Sequence, residues 1–319
     1  MQPAYLETYH NGTLKKAFEE AFKKLESCVI CPRRCGVNRI KGEKGFCRTA
    51  RKAKICSFML HHGEEPPISG ERGSGTIFFS ECNMACVYCQ NYEFSQIGQG
   101  GREVSAEELA AIMLQLQQMR AHNINLVTPT HVMPQILEAL LIAIPQGLKI
   151  PIIYNTGGYE LIEIVKLLDG IVDIYLPDMR YADNDAALRY SGAVDYPKYN
   201  QQALKEMHRQ VGLAKINDSG IIENGLIIRH LVLPNNISGT DKIMCFIARE
   251  LSQDTYISLM SQYFPCYQAA KFKEILRRIT QDEYTAAQQS MQRWELHNGW
   301  IQEAGGLDRF AGINIKPNL

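Results

Sequence analysis

Apolar positions in this chain follow two rhythms. Leu14, Ala17, Phe18, Ala21, Phe22 and Leu25 recur at helical spacing, so an amphipathic helix is expected over residues 14–26. Residues 28–48 lose that period; Gly, Arg and Cys dominate, and a metal-organised loop is expected there. Pro66-Pro67-Ile68-Ser69-Gly70 and Gly73-Ser74-Gly75 then interrupt the chain. Beyond them, short apolar runs alternate with helical stretches. Strands are expected over 76–80, 124–127, 150–154, 171–176, 226–233 and 256–261. Helices are expected from Ser105 to about Arg120, after His131 through Ile144, and over 159–168, 184–212, 241–252 and 282–298. From Gly299 the tail reads as irregular.

Short apolar strands without polar alternation belong to a sheet covered on both faces, which means a parallel sheet with crossover helices. Six β/α repeats predict an α/β fold, a partial (β/α)6 TIM-like barrel. Its chemistry should lie where strands end and βα loops begin. The expected domains are residues 1–70, an N-terminal helix with a Cys-rich metal-binding extension; 71–265, the barrel core; and 266–319, a C-terminal helix and tail.

Composition changes this picture in two places. The net charge is zero over 319 residues, yet residues 15–54 hold 13 Lys/Arg against 4 acids, leaving that segment at +9. Such a module suits nucleic-acid phosphates, an acidic electron carrier, or thiolates whose charge needs offsetting. The N-terminus lacks a leader pattern and no apolar run reaches membrane-spanning length, so a cytoplasmic, non-membrane protein is expected. Ten cysteines are many for such a chain. Seven fall into Cys28/Cys31/Cys35/Cys47 and Cys82/Cys86/Cys89, a clustering that favours metal over disulfide in a reducing compartment.

Cys82, Cys86 and Cys89 follow the first expected core strand in C-x3-C-x2-C spacing. Three thiolates on one tight loop can each bind one iron of a [4Fe–4S] cubane, leaving the fourth iron open to chemistry. With Tyr88 just before the last Cys, the motif resembles that of the radical S-adenosylmethionine (radical SAM) enzymes. The resemblance implies a [4Fe–4S] cluster and SAM, which chelates the open iron. Reductive cleavage would yield methionine and a 5′-deoxyadenosyl radical for hydrogen abstraction. It also implies a flavodoxin or ferredoxin as reductant.

The same likeness suggests SAM contacts at Tyr88, Thr128, Thr130, Asn155, Asp178, Arg180 and Arg229. Where the family carries a Gly-Gly-Glu-like run, this chain reads Thr128-Pro129-Thr130-His131. The runs 31–36, 63–70, 123–131 and 173–178 resemble a branch homologous to the pyruvate formate-lyase activating enzyme. There Gly commonly precedes the first cluster Cys, where this chain has Glu81.

The substrate stays open between a glycyl-radical enzyme, another protein or peptide, and RNA; a non-catalytic iron–sulfur scaffold is the remaining alternative. Cys28, Cys31, Cys35 and Cys47 could hold structural zinc or a second cluster. Cys266 follows the sixth strand and could donate a hydrogen atom, although a lone Cys is more often a small buried hydrophobe. His131 and His230 lie near strand ends, where core roles are the commoner outcome.

Overall fold

A computed structural model describes residues 2–302. Its sheet contains β1 (Ala53–His61), β2 (Ser74–Phe79), β3 (Arg102–Val104), β4 (Ile124–Val127), β5 (Ile152–Thr156), β6 (Ile174–Pro177), β7 (Lys215–Ile216), β8 (Ile222–Leu231), β9 (Tyr256–Met260) and β10 (Gly299–Ile301). The order is β10-β9-β8-β6-β5-β4-β2-β1-β3, with β7 paired to β8. The expected core strands are β2, β4, β5, β6, β8 and β9, and successive members pair in parallel. β10 and β3 end the order without pairing to one another, so the barrel is open.

The helices are α1 (Tyr5–His10), α2 (Thr13–Lys23), α3 (Pro66–Ser69), α4 (Ala106–Gln118), α5 (Met133–Ala143), α6 (Ile162–Val165), α7 (Asn184–Ser191), α8 (Tyr196–Val211), α9 (Thr240–Glu250) and α10 (Gln281–Arg293). Ser105 starts α4 with a reciprocal capping box to Glu108, the arrangement its Ser-x-x-Glu sequence favours. Among the described residues, no helix is long and apolar enough to cross a membrane.

Strand alternation divides the core. Ile124, Leu126, Ile152 and Tyr154 pack with the helices in the main cluster. Residues of the opposite phase, Ile153, Ile174, Leu176 and Ile227, meet Ile68 of α3 in a separate apolar plug inside the barrel. Asn125 lies opposite Ile153, and Asn155 opposite Val127, so both amides share that interior phase.

Several expectations change. β1 and β3, which the apolar pattern does not announce, add an antiparallel edge to β2. Lys and Cys interrupt β1, and only its pairing to β2 makes it a strand. The stretch 184–212 is two helices: Gly192, at φ +56, ends α7, and Pro197 sits in the first turn of α8. The terminal helix stops at Arg293 rather than continuing to 298. The tail is regular at its start, where β10 runs parallel to β9; its end at 317–319 lies outside the described residues.

Candidate active site

The loop carrying Cys82, Cys86 and Cys89 leaves β2 and is pinned from several sides. The Ala85 and Val87 amides donate to the carbonyls of Ser191 and Tyr190, at the end of α7. Asn83, buried, donates to the Tyr159 carbonyl at 2.8 Å, while its own carbonyl accepts from Arg33 Nε at 2.9 Å. Gln96 holds the Met84 carbonyl at 3.0 Å. Each thiol also has a local partner: the Met84 amide donates to Cys82 Sγ, Ser191 Oγ lies 3.0 Å from Cys86 Sγ, and Ser95 Oγ lies 3.2 Å from Cys89 Sγ. Burial pushes the Cys82 thiol up to about 12 and raises that of Cys89. A metal bound here would displace protons from Cys82 and Cys89, which burial keeps protonated.

Glu81 adopts φ +71, the left-handed conformation that glycine takes without strain. The turn is kept despite the side chain, and the added charge is neutralised: Glu81 is buried and pairs with Arg48 at 2.5 Å and Lys54 at 3.3 Å. Glu81→Gly and Glu81→Ala both remove these pairs, but only alanine retains the backbone strain. Urea denaturation is expected to find the alanine variant less stable than the glycine variant by about 1 kcal/mol. Equal stabilities would refute the strained-turn account.

Inside the barrel a chain of charges reaches the thiols. Arg229 Nε lies 2.8 Å from Asp178 Oδ1, Arg180 Nη2 lies 2.5 Å from Asp178 Oδ2, and Arg180 Nη1 lies 3.8 Å from Cys86 Sγ. Behind Arg229, Glu64 approaches to 3.8 Å. Burial alone would raise the Asp178 carboxyl; Arg229 and Arg180 outweigh it and hold the group below its usual range. Burial, with Glu64 nearby, pushes Glu65 up to about 7 against the opposing pull of Arg229. The run Gly63-Glu64-Glu65 carries two acids, but nothing in its sequence shows that they reach Arg229.

Asn125 and Asn155 are each at most 1% exposed, and among the described residues neither finds a partner for its side-chain oxygen or nitrogen. Buried amides left this way cost about 1–3 kcal/mol each. They therefore suit a polar ligand in the lumen, and SAM offers ammonium, carboxylate and hydroxyl groups to both. Asn125 was missed by sequence reasoning. Its signal is a single polar residue in the apolar run Ile124-Asn125-Leu126-Val127.

Residues 76–236 match the family model described as the radical SAM superfamily. The chain belongs to this superfamily. The family implies a [4Fe–4S] cluster, SAM and a radical-based reaction. Two uncharacterized proteins of Methanocaldococcus jannaschii are also similar. One is 32% identical over 280 residues, covering 85% of this chain and 76% of the relative. The other is 25% identical over 264 residues, covering 75% and 71%. Among solved structures, a radical SAM methyltransferase from Sphaerobacter thermophilus aligns at TM-score 0.49 and 14% identity, covering 74% of this chain and 68% of that one. Methylornithine synthase aligns at TM-score 0.48 and 12% identity, covering 90% and 70%.

The other expected radical SAM contacts have mixed surroundings. Tyr88 is buried, its hydroxyl 2.5 Å from that of Tyr181 and its ring edge-on to Tyr263. Thr128 is half-buried just after β4. Thr130 is fully buried and donates to Glu160 at 2.5 Å, alongside Thr156. Gly158 follows at φ +74; a Cβ there would collide with the Asp178 carbonyl and the Asn200 amide, so the close approach of the β5 and β6 ends requires glycine. Cys266 stands beside the triad with Sγ 3.3 Å from the Tyr88 carbonyl, and burial pushes its thiol up to about 12. His230 is committed to the Met179 carbonyl and Thr240, a core role.

Burial pushes the Glu160 carboxyl from 4.5 up to about 7, against hydrogen bonds from Thr130 and Thr156 that favour the charged form. A raised carboxyl pKa favours folding most below the unfolded value and loses that contribution as pH rises through the folded one. Thermal scans should show stability declining from about pH 4.5 to 7, with Glu160→Gln flattening part of the decline. Parallel wild-type and variant profiles would remove Glu160 as a source.

Proposed function

We propose that this radical SAM protein uses Cys82, Cys86 and Cys89 to hold the [4Fe–4S] cluster, and the barrel interior to hold SAM, for hydrogen abstraction from a protein or peptide. The observation that carries this reading is the juxtaposition at one barrel face. A pinned three-thiol loop is linked through Arg180 to a lumen with unpartnered amides at Asn125 and Asn155.

When bound, the reduced cluster and SAM supply a 5′-deoxyadenosyl radical. The chain's residues do the positioning. Arg180 sets positive charge beside Cys86, offsetting the negative charge that thiolates bring to the cluster. Arg229, anchored on Asp178, keeps its guanidinium inside the lumen for a carboxylate. Asn125 and Asn155 provide donors and acceptors in a site closed to bulk water. Tyr88 precedes the third thiol and lies against the cluster loop, in the place where the resemblance puts an adenine contact.

A small flavodoxin or ferredoxin suits the role of reductant, and a glycyl-radical enzyme is one form of protein substrate consistent with the activating-enzyme likeness. RNA is less well supported, because four cations of the basic segment are spent on internal ion pairs. Arg34 pairs with Glu163, Arg48 and Lys54 with Glu81, and Arg51 with Glu138. The test is anaerobic: reconstituted, dithionite-reduced protein should convert SAM to 5′-deoxyadenosine and methionine. Production no greater than without protein would reject the reading.

A further inference from the structure

We propose that Cys28, Cys31, Cys35 and Cys47 form a second metal centre, a [4Fe–4S] cluster set against the loop that carries the triad. These four side chains line one cavity together with Arg33, Arg39 and His131. The backbone is folded to present them. The Cys28 amide donates to the Val37 carbonyl, the Gly36 amide returns to the Cys28 carbonyl, and the Arg34 amide closes a turn on the Cys31 carbonyl. The Phe46 amide donates to Cys35 Sγ at 3.3 Å. Gly45 lies so close that an added Cβ would stand 2.7 Å from Cys35 Sγ, which leaves the chain no room for a side chain there.

Two further observations call for an occupant. Arg39 is 1% exposed, gives its hydrogen bonds to the Ala50 carbonyl and reaches to 3.9 Å from Cys28 Sγ. Its partners among the described residues are a carbonyl and a thiol rather than a carboxylate, and a buried guanidinium without an anion is costly. A centre bound by four thiolates supplies that negative charge. His131, also 1% exposed, is fixed through Nε2 to the Ser80 carbonyl at 3.0 Å, while its buried Nδ1 has no partner among the described residues. Its ring lines the four-Cys cavity.

The arrangement of the thiols suits a cluster better than a single ion. Among the described residues, no three Cys, His, Asp or Glu side chains converge on one ion position. A tetrahedral zinc requires convergence, with every sulfur about 2.3 Å from one ion. A cubane instead takes each thiolate at a separate iron, as at the family's own triad. Arg33 links the two sites: it comes from the turn between Cys31 and Cys35, and its Nε donates to the carbonyl of Asn83, next to Cys82.

Metal content tests the assignment independently of SAM cleavage. The full chain, reconstituted anaerobically, is compared with its Cys82/Cys86/Cys89→Ala variant for iron, acid-labile sulfide and zinc, with Mössbauer spectra. About eight irons are expected in the wild type and about four in the variant, with a cubane spectrum retained. A folded variant holding stoichiometric zinc without iron, or holding no metal, overturns the proposal. The reciprocal Cys28→Ser/Cys47→Ser variant keeps the triad: a halving of wild-type iron supports the second cluster, and unchanged iron overturns it.

Discussion

Cys86→Ala is expected to abolish 5′-deoxyadenosine formation in reduced, reconstituted protein, while the fold persists. Cys86 is the central thiol of the loop and is 4% exposed. Ser191 Oγ at 3.0 Å and Arg180 Nη1 at 3.8 Å show that polar groups are built around its sulfur. A cubane with only two remaining protein ligands loses the asymmetry that leaves one iron open, and is poorly held. The loop's backbone anchors, from Ala85 and Val87 to the end of α7, do not depend on the sulfur, so circular dichroism should remain that of the wild type. Product at a tenth or more of the wild-type rate would contradict the assignment of Cys86 as a ligand.

Arg229→Met carries the largest expected stability loss. Methionine preserves much of the apolar stem but removes the guanidinium that sits 2.8 Å from Asp178 and faces Glu64. Breaking a buried pair from one side costs about 3–5 kcal/mol, because the remaining charge stays buried and uncompensated. Arg180 still pairs with Asp178, which places the expectation toward the lower end of that range.

The pH dependence gives a second readout. In the wild type the Asp178 carboxyl is held below its usual value, so its contribution to stability is present above that value. The contribution is lost as pH falls through the lower, folded one. Without Arg229 the folded value rises and acid unfolding should begin at higher pH. Urea titrations near neutrality and acid titrations followed by circular dichroism measure both effects. A change below about 1 kcal/mol, the scale of an exposed ion pair, would show that the lumen pair is solvated.

Much of the scaffold was legible because its signals are local. The Ser105–Glu108 capping box, the apolar strand cores and the Cys spacing each depend on residues close in sequence. β1 was not legible, since its Lys and Cys residues carry no strand rhythm and its pairing partner lies across a break in the chain. Asn155 was identified from its place at a strand end. Asn125 was missed because a lone amide within an apolar strand reads as an ordinary interruption until its inward phase is known.

The sequence by itself carried the superfamily, the close spacing of the three thiols and the six core strands β2, β4, β5, β6, β8 and β9, but not the seventh parallel strand, β10. These rest on short spacing and on apolar periodicity, which survive without knowledge of neighbours. Only the tertiary structure decided the turn at Glu81, the charge chain from Glu64 through Arg229 and Asp178 to Arg180, and the common cavity beneath the four N-terminal thiols. The physical reason is that charge pairing and burial depend on distance in space: Glu81 meets Arg48 and Lys54, and Arg229 meets Asp178 and Glu64, across tens to more than a hundred residues of chain.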